Sequence, residues 1–408
     1  MSRAGTQGWR GPAAVLAAGA LTLTVSLGIR HAFGLFLEPM SRDNGWTREV
    51  FAFAIALQNL VWGAAQPFAG RLADRRGAAR AVLGGSVLYV AGLLLMATAH
   101  GASALALSAG VLVGLGLSGT SYPIVFGAIS RCTAPERRSL ATGIAMAVGS
   151  LGQFAMLPGA LAAIDAIGWA GALVALAALG ATMAPLSAAL RERPSTAGVA
   201  TGGGAREALA GALRHRGFWL LSFGFFVCGF HVVFIATHLP AFLADRGLGP
   251  RAGAAVLALV GLFNIGGSYC AGLLGGRMSK PGLLVGLYLL RAAVIAAFVL
   301  APVTEGSAYA FGAAMGFLWL STVPLTNGTI ATLFGTRHLA MLGGVAFFFH
   351  QVGAFLGGWL GGRLYVATGS YELVWWISIA LALLAALVNV PVREAPVARA
   401  AGAPEPAA

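Results

Sequence analysis

"GRLADRRGAAR", from Gly70 to Arg80, carries five charged side chains in eleven residues. Apolar runs lie on both sides of this stretch, at residues 48–70 and 80–99. A short charged segment between two such runs predicts a tight turn at a membrane surface, where one helix ends and the next begins. If the pattern repeats along the chain, the protein is a helical membrane protein.

The composition supports a chain that crosses a membrane many times. Of its 408 residues, 58% are hydrophobic and only 10% are charged, and the mean hydropathy is +0.83. A soluble domain carries about 25% charged residues. The composition therefore excludes an ordinary soluble protein and indicates a polytopic membrane protein.

The charges divide the chain into apolar runs long enough to cross a hydrocarbon core of ~30 Å as helices that rise ~1.5 Å per residue. We count twelve runs, at residues 12–38, 48–70, 80–99, 103–130, 139–164, 168–190, 217–243, 252–276, 281–302, 306–333, 339–362 and 371–392. The predicted fold class is an all-α membrane protein with twelve transmembrane helices.

Lysine and arginine indicate the orientation of these helices. If both termini are cytoplasmic, the cytoplasmic segments hold nineteen of these residues and the opposite segments hold five. The positive-inside rule therefore predicts cytoplasmic termini. The five are Arg42, Arg48, Arg246, Arg251 and Arg363.

The net charge of +13 then reflects topology and contact with anionic membrane lipids, and we expect no nucleic-acid partner. The first apolar run is too long for the core of a cleaved signal peptide. A single lysine and a bias toward arginine and alanine are typical of a GC-rich genome, so we expect a multi-pass protein of a bacterial inner membrane.

The chain divides into two halves. Residues 191–216 contain a stretch rich in Gly, Pro, Ser and Thr, which predicts a flexible cytoplasmic link. The predicted units are a six-helix bundle at 1–190, this link at 191–216, a second bundle at 217–392 and a disordered tail at 393–408.

An internal repeat supports that division. At a shift of 201 residues, Gly28 falls on Gly229, Pro39 on Pro240, and Arg30 on His231. Two further pairs follow in the same order along both halves: Pro123 falls on Pro324 at the same shift, and Gln153 falls on Gln351 at a shift of 198.

In its charged stretch the chain resembles the major facilitator superfamily of secondary transporters. The loop signature of that family, G-x-L-x-D-R-x-G-x-x-R, is matched by Gly70, Leu72, Asp74, Arg75, Gly77 and Arg80. Asp74 can pair with an arginine and cap a helix N-terminus, and the glycines permit close backbone approach, so the stretch predicts a conformational latch.

The resemblance covers nearly the whole chain. "NGWTRE" before the second run and "GGRLYVATGSYELVWW", Gly361 to Trp376, resemble the monocarboxylate-porter and oxalate/formate-antiporter branch. The family implies two pseudo-symmetric six-helix bundles that rock about a central site by alternating access. It also implies a small carboxylate as cargo and a protein that functions as a monomer.

Only Arg30 and Arg291 carry a permanent charge deep inside a span, and no Asp or Glu lies comparably deep. Intramembrane ionisable groups are candidate functional groups, and a guanidinium can bind a carboxylate with two hydrogen bonds. Arg30 is either the ligand of a substrate carboxylate or a structural arginine. Arg291 is either a structural arginine or a second substrate charge. For the neighbouring His31 we favour packing or hydrogen bonding.

His231, the repeat partner of Arg30, is predicted to face the same cavity and is the candidate proton-coupling group, because histidine titrates near physiological pH. A neutral, hydrogen-bonded histidine is the alternative. For His238, a vestibule role competes with simple anchoring. The remaining candidate substrate ligands are Gln351, Asn264 and Tyr122.

No sequence pattern indicates a metal site, a cofactor or an enzyme, because the chain has neither an HExxH motif nor a local nucleophile–base arrangement. The predicted function is transport of a small organic anion by proton symport or anion exchange. The alternatives are efflux of a drug or neutral metabolite, and a substrate-sensing receptor on a transporter fold. The sequence leaves open the cargo, the direction of transport and the coupling ion.

Overall fold

The computed structural model describes residues 11–46, 48–191 and 204–397, and every regular element in these ranges is a helix. The membrane-crossing helices are α1 Pro12–Asn44, α2 Arg48–Arg76, α3 Ala78–Ala97, α4 Ala102–Cys132, α5 and α6 within Arg138–Ala181 and Met183–Ala189, α7 Arg216–Asp245, α8 Pro250–Gly275, α9 Lys280–Leu300, α10 Glu305–Phe334, α11 Leu339–Thr368 and α12 Glu372–Asn389.

The boundary between α5 and α6 is a single glycine. Gly168 has φ 72° and ψ 168°, which is not helical and which residues with a side chain adopt at a cost. The run Arg138–Ala181 is therefore two helices, at residues 138–167 and 169–181, and the eleven long apolar runs of the described chain contain twelve crossings. The predicted fold class is confirmed.

Two of the crossings are broken near their middles. The backbone of α4 becomes extended at Ser121, with φ −104° and ψ −175°, and a new helix begins at Tyr122. In α10 the first segment ends at Leu318 and the second begins at Thr322. A proline, Pro123 or Pro324, lies in the first turn of each new segment, where its missing N–H costs little.

The two halves also pack in the same way. A Cβ atom on Gly28 of α1 would lie 2.8 Å from the carbonyl oxygen of Gly152 on α5. On α7, a Cβ atom on Gly229 would meet the carbonyl oxygen of His350 on α11. These pairs of helices approach through the positions that the internal repeat aligns, so the repeat in the sequence is a repeat in the packing.

The link and the tail differ from prediction where the structure describes them. Residues 192–203 lie outside the described chain, but Ala205–Arg214 is helical, as its alanine, leucine and arginine content favours. In the tail, the Glu394 carboxylate accepts a hydrogen bond of 2.8 Å from the backbone N–H of Lys280 and pairs with the Lys280 ammonium group. Residues 393–397 are thus held by contacts; residues 398–408 lie outside the described chain.

Candidate functional site

Arg30 lies near the middle of the membrane-spanning length of α1. Its Nη2 donates to the side-chain oxygen of Asn59 on α2, and its guanidinium carbon lies 5.1 Å from the centre of the Trp62 ring. Its Nε is buried without a hydrogen-bond partner. Among the described residues no carboxylate pairs with this guanidinium, so its charge and an N–H group remain available to an anion.

The break in α4 fixes the ring that lies under Arg30. The indole N–H of Trp62 donates to Gln66 Oε1 at 3.0 Å and to Ser121 Oγ at 3.1 Å. Gln66 in turn donates to the backbone carbonyl of Ser118 at 2.9 Å. These bonds use the polar groups that the break exposes, and they hold the Trp62 ring in one orientation.

Tyr122 begins the second segment of α4 and is 5% exposed. Its hydroxyl group lies close to the side chain of Gln153 on α5, and it interacts electrostatically with Arg30 and Cys228. The Nε2 atom of Gln153 is buried without a partner. Tyr122 therefore lies between the arginine of the first bundle and α7 of the second.

The second bundle reaches Arg30 through α11. Phe347 packs on Trp62 with the ring centres 4.9 Å apart. Gln351 Nε2 lies 3.3 Å from the backbone oxygen of Asn59 and 3.5 Å from its side-chain oxygen. Arg30, Asn59, Trp62, Phe347 and Gln351 are called the central cluster below. The structure thus places two predicted ligands, Arg30 and Gln351, on one shared partner.

His31 does not join the central cluster. Its side chain is exposed on the other side of α1, and its Nδ1 hydrogen-bonds the backbone carbonyl of Leu27 at 2.7 Å. This contact agrees with the hydrogen-bonding interpretation.

His231 lies elsewhere than predicted. It is fully buried, and its Nε2 hydrogen-bonds the backbone carbonyl of Ser378 on α12 at 2.9 Å. The internal repeat aligns His231 with Arg30, but the two side chains do not meet, because His231 points toward α12. His238 hydrogen-bonds the carbonyl of Gly358 on α11 at 2.8 Å, which matches the anchoring interpretation.

Asn264 on α8 joins three helices. Its Nδ2 donates to Ser150 Oγ on α5 at 2.8 Å, and its Oδ1 accepts from the backbone N–H of Leu320 at 3.0 Å, inside the break of α10. Ser268 Oγ also donates to Oδ1 at 3.3 Å. The predicted substrate ligand therefore has its polar atoms in contacts that hold α10 and both bundles.

Arg291 is fully buried and supports the same break. Its Nη2 donates to the carbonyl oxygens of Leu318, at 2.7 Å, and Trp319. The same nitrogen lies 3.6 Å from the sulfur of Cys228 on α7. Because a broken helix leaves carbonyl groups without partners, these contacts match the structural interpretation of Arg291.

The charged stretch Gly70 to Arg80 contacts the other bundle through Asp74. This carboxylate pairs with Arg131 at the end of α4 at 2.8 Å. It also accepts hydrogen bonds from the backbone N–H groups of Ala340, at 3.2 Å, and Met341, at 2.7 Å, in the first turn of α11. The Asp74 side chain is 2% exposed. One carboxylate thus links α2, α4 and the N-terminus of α11.

The other residues of the stretch have separate roles. Gly70 lies against the backbone of Ala340, where a Cβ atom would clash, and Gly77 has φ 90° at the start of α3. Arg75 and Arg80 are exposed.

In the second half, the equivalent loop contains no aspartate. Ser279 instead caps α9 by accepting a hydrogen bond from Gly282 N at 3.3 Å. The bundles meet on this side by backbone contact, since a Cβ atom on Gly143 of α5 would lie 2.5 Å from the Cα atom of Gly272 on α8. We call the side where α1 begins and α12 ends the terminal side. The contact of Asp74 with α11 and the contact of Gly143 with Gly272 both lie in the terminal half of the protein.

The outer half of α5 is more open. Beyond Ser150, the side chains that point away from α1 are between 37% and 49% exposed: Leu151, Phe154, Leu157 and Leu161. The central cluster is thus covered toward the terminal side by the contacts of α2 with α11 and of α5 with α8.

Asn59 and Trp62 are not among the candidate site residues predicted from the sequence, and Arg131 is not predicted as the partner of Asp74. A signal was present along α2. Asn59, Trp62, Gln66 and Gly70 recur at intervals of three and four residues, which places them on one helical face. That face is the one that meets α4 and α11.

Comparison with known proteins gives a family match over most of the chain. The model described as Major Facilitator Superfamily matches residues 15–358. Monocarboxylate transporter 11 of Mus musculus is 29% identical over 397 residues, which cover 90% of this chain and 83% of the relative. An uncharacterized MFS-type transporter of Bacillus subtilis, YcxA, is 25% identical over 378 residues, which cover 88% of this chain and 90% of the relative.

Two solved structures share the fold. The fucose:proton symporter FucP of E. coli aligns with a TM-score of 0.71 and 15% identity, over 93% of this chain and 98% of that protein. The proton:xylose symporter XylE aligns with a TM-score of 0.73 and 13% identity, over 94% of this chain and 95% of that protein.

Proposed function

Because this chain belongs to the Major Facilitator Superfamily, a family of transporters, we propose that it moves a small organic anion across the membrane, with the carboxylate of that anion bound by Arg30. The observation that carries the proposal is a partly buried guanidinium, with a buried Nε, that has no carboxylate partner in the described chain. Its charge is costly inside a membrane, and it is held at the centre of the protein by Asn59 and Trp62.

The surroundings of Arg30 favour a monocarboxylate. The Phe347 ring lies against both Trp62 and Tyr122, with ring centres 4.9 and 6.4 Å away, and the three rings provide apolar surface. One guanidinium matches one carboxylate, and the rings suit a small apolar remainder. The names of the relatives, monocarboxylate transporters, agree with this proposal.

The proposed mechanism is alternating access, coupled either to protons or to exchange for another anion. With cytoplasmic termini, as the charge distribution predicts, the terminal side is cytoplasmic and the structure is closed toward the cytoplasm. Asp74 then acts as a latch of this closed state. The protein is proposed to function as a monomer in a bacterial inner membrane, with lipid around it.

The test uses purified protein, a series of mono- and dicarboxylates, and a matched pair of neighbouring variants, Arg30→Ala and His31→Ala. A ligand stabilises the state that it binds, by about 2.7 kcal/mol when its concentration is a hundred times Kd. We expect a monocarboxylate to raise the Tm of the wild type and of His31→Ala but not that of Arg30→Ala. Uptake of the same carboxylate into proteoliposomes should follow the same order.

Two results would overturn the proposal. If Arg30→Ala responds to the carboxylate as the wild type does, Arg30 is structural. If no carboxylate changes the wild-type Tm or enters proteoliposomes, and a neutral or cationic compound does, the cargo is not an anion.

A further inference from the structure

His350 on α11 is connected to Arg30 by an unbroken chain of hydrogen bonds. Arg30 donates to the side-chain oxygen of Asn59, and Gln351 donates to both oxygens of Asn59. The Oε1 atom of Gln351 lies 3.2 Å from Nδ1 of His350. The chain starts in the first bundle and ends in the second.

The direction of every bond in this chain follows from Arg30, because a guanidinium can only donate. Its partner on Asn59 must be the oxygen, and the Asn59 amide nitrogen accordingly donates to the carbonyl of Ile55 at 3.1 Å. The Gln351 group that faces the Asn59 oxygens must be its NH₂ group. The remaining Gln351 oxygen can only accept, so Nδ1 of His350 carries a hydrogen.

A neutral imidazole with its hydrogen on Nδ1 has a free lone pair on Nε2. In this structure the His350 side chain is 7% exposed, and its Nε2 is buried without a hydrogen-bond partner. Buried polar atoms are almost always paired. This unpaired acceptor at the end of a chain that begins at Arg30 is therefore a site for a proton.

The groups around His350 leave few competitors for that proton. The Phe347 and Phe225 rings pack on the imidazole, with centres 5.2 and 4.8 Å away. The ionisable group that interacts with His350 from another helix is Cys228 on α7. Cys228 in turn interacts with Arg291 on α9 and with Tyr122 on α4. Cys228 already receives hydrogen bonds from Thr322, at 3.1 Å, and Arg291. In the described chain no carboxylate contacts this group of residues.

We infer that His350 is the proton-binding residue of this transporter and that its Nε2 takes up one proton when an anion binds at Arg30. The inference rests on the proposed function. An anion at Arg30 compensates the added positive charge of an imidazolium in the second bundle, so each ligand favours binding of the other. The proton enters with the anion, and the pair crosses without net charge for a monocarboxylate.

The first test is transport in proteoliposomes by the wild type, His350→Asn and His231→Gln. Asparagine retains a donor for Gln351 at the place of Nδ1, and glutamine retains a donor for Ser378 at the place of the His231 Nε2, while neither titrates. With an inward gradient of one pH unit, a one-to-one symporter accumulates the anion up to about tenfold. We expect this accumulation in the wild type and His231→Gln, and a ratio near one in His350→Asn, which should still exchange labelled for unlabelled anion.

Accumulation by His350→Asn would overturn the inference, as would its loss in His231→Gln instead. A wild type that exchanges the anion but does not accumulate it would also overturn the inference and leave the proposed function intact. A wild type that does neither with any carboxylate removes the proposed function itself.

A second measurement covers the case in which His350→Asn no longer transports. Ligand affinity, measured by thermal shift from about pH 5 to 8, the range in which histidines titrate, should strengthen as the pH falls in the wild type. It should be independent of pH in His350→Asn. An unchanged pH dependence in that variant contradicts the inference, and a matched Cys228→Ala variant should keep the wild-type dependence.

Discussion

Asp74 on α2 accepts a hydrogen bond of 2.7 Å from the backbone N–H of Met341, the third residue of α11. A helix N-terminus has unpaired N–H groups and a partial positive charge, and it favours a carboxylate. Arg131 holds the same carboxylate from the opposite side at 2.8 Å. One carboxylate on the terminal side therefore contacts both bundles, and we expect closure of that side to depend on it.

Replacing Asp74 with Asn should open the terminal side. The variant loses the ion pair with Arg131 and the charge at the helix N-terminus. Hydrogen bonds to charged groups contribute about 1.5–3 kcal/mol, so the closed population should fall about tenfold or more. Spin labels at the exposed positions Arg80 and Met278, in a background without native cysteines, should report longer distances between the bundles.

The matched control is Asp43→Asn near the other end of α1. Asp43 accepts a hydrogen bond from the Trp169 N–H group at 2.7 Å within the first bundle, and its side chain is 51% exposed. Its distance distribution should equal that of the wild type. Equal distributions in Asp74→Asn and the wild type would show that the contact with α11 does not hold the closed state.

The crossing of α5 and α8 predicts a second effect on closure. A Cβ atom on Gly143 would lie 2.5 Å from the Cα atom of Gly272. Gly143→Ala should force the helices apart and cost about 1–3 kcal/mol in the closed state, which slows transport and lengthens the same spin-label distance. Gly159 lies on the same helix with nothing within 4 Å of its Cβ position. Normal transport by Gly143→Ala, or an equal loss in Gly159→Ala, would contradict this account.

Trp62 should control the affinity of the central cluster. Trp62→Leu removes the ring beneath the Arg30 guanidinium, an interaction of about 0.5–2 kcal/mol. It also removes the indole N–H that Ser121 Oγ and Gln66 Oε1 accept, although Gln66 Oε1 still accepts from the Ser121 hydroxyl at 2.8 Å. We expect KM for the carboxylate to rise about two- to thirtyfold. Trp359→Leu, at a position that is 54% exposed, should leave KM unchanged. A change in kcat with constant KM would show that Trp62 does not contribute to binding of the carboxylate.

The sequence predicts the fold well because membrane insertion imposes a coarse rule. Long apolar runs, short charged turns and the repeat are all readable from the chain, and the breaks of α4 and α10 coincide with Pro123 and Pro324. The sequence also predicted the boundary at Gly168, because one apolar run was expected to end at residue 164 and the next to begin at residue 168. In the structure the two helices join at Gly168 without a polar loop.

The site was predictable only in part. Arg30 and Gln351 stand out because polar groups inside a membrane are costly. The direction in which a side chain points depends on helix rotation, and a rotation of one residue, about 100°, turns a cavity residue toward a neighbour. This explains His231, which bonds α12, and Asn264, which bonds α5 and α10. The partner of Asp74 could not be read from the sequence because Arg131 lies 57 positions away.

A structural Arg291 and a substrate-binding Arg291 predict different effects of the carboxylate on the Tm of a variant. Arg291→Met leaves the carbonyl oxygens of Leu318 and Trp319 without donors in the break of α10. Each hydrogen bond to a charged group contributes about 1.5–3 kcal/mol, so the Tm should fall clearly. If Arg291 is structural, the carboxylate should still raise the Tm of the variant by the same increment as in the wild type. Arg277→Met, at an exposed position beyond α8, should change neither quantity. Loss of the ligand increment in Arg291→Met, with the increment intact in Arg277→Met, would instead make Arg291 a second charge for the substrate.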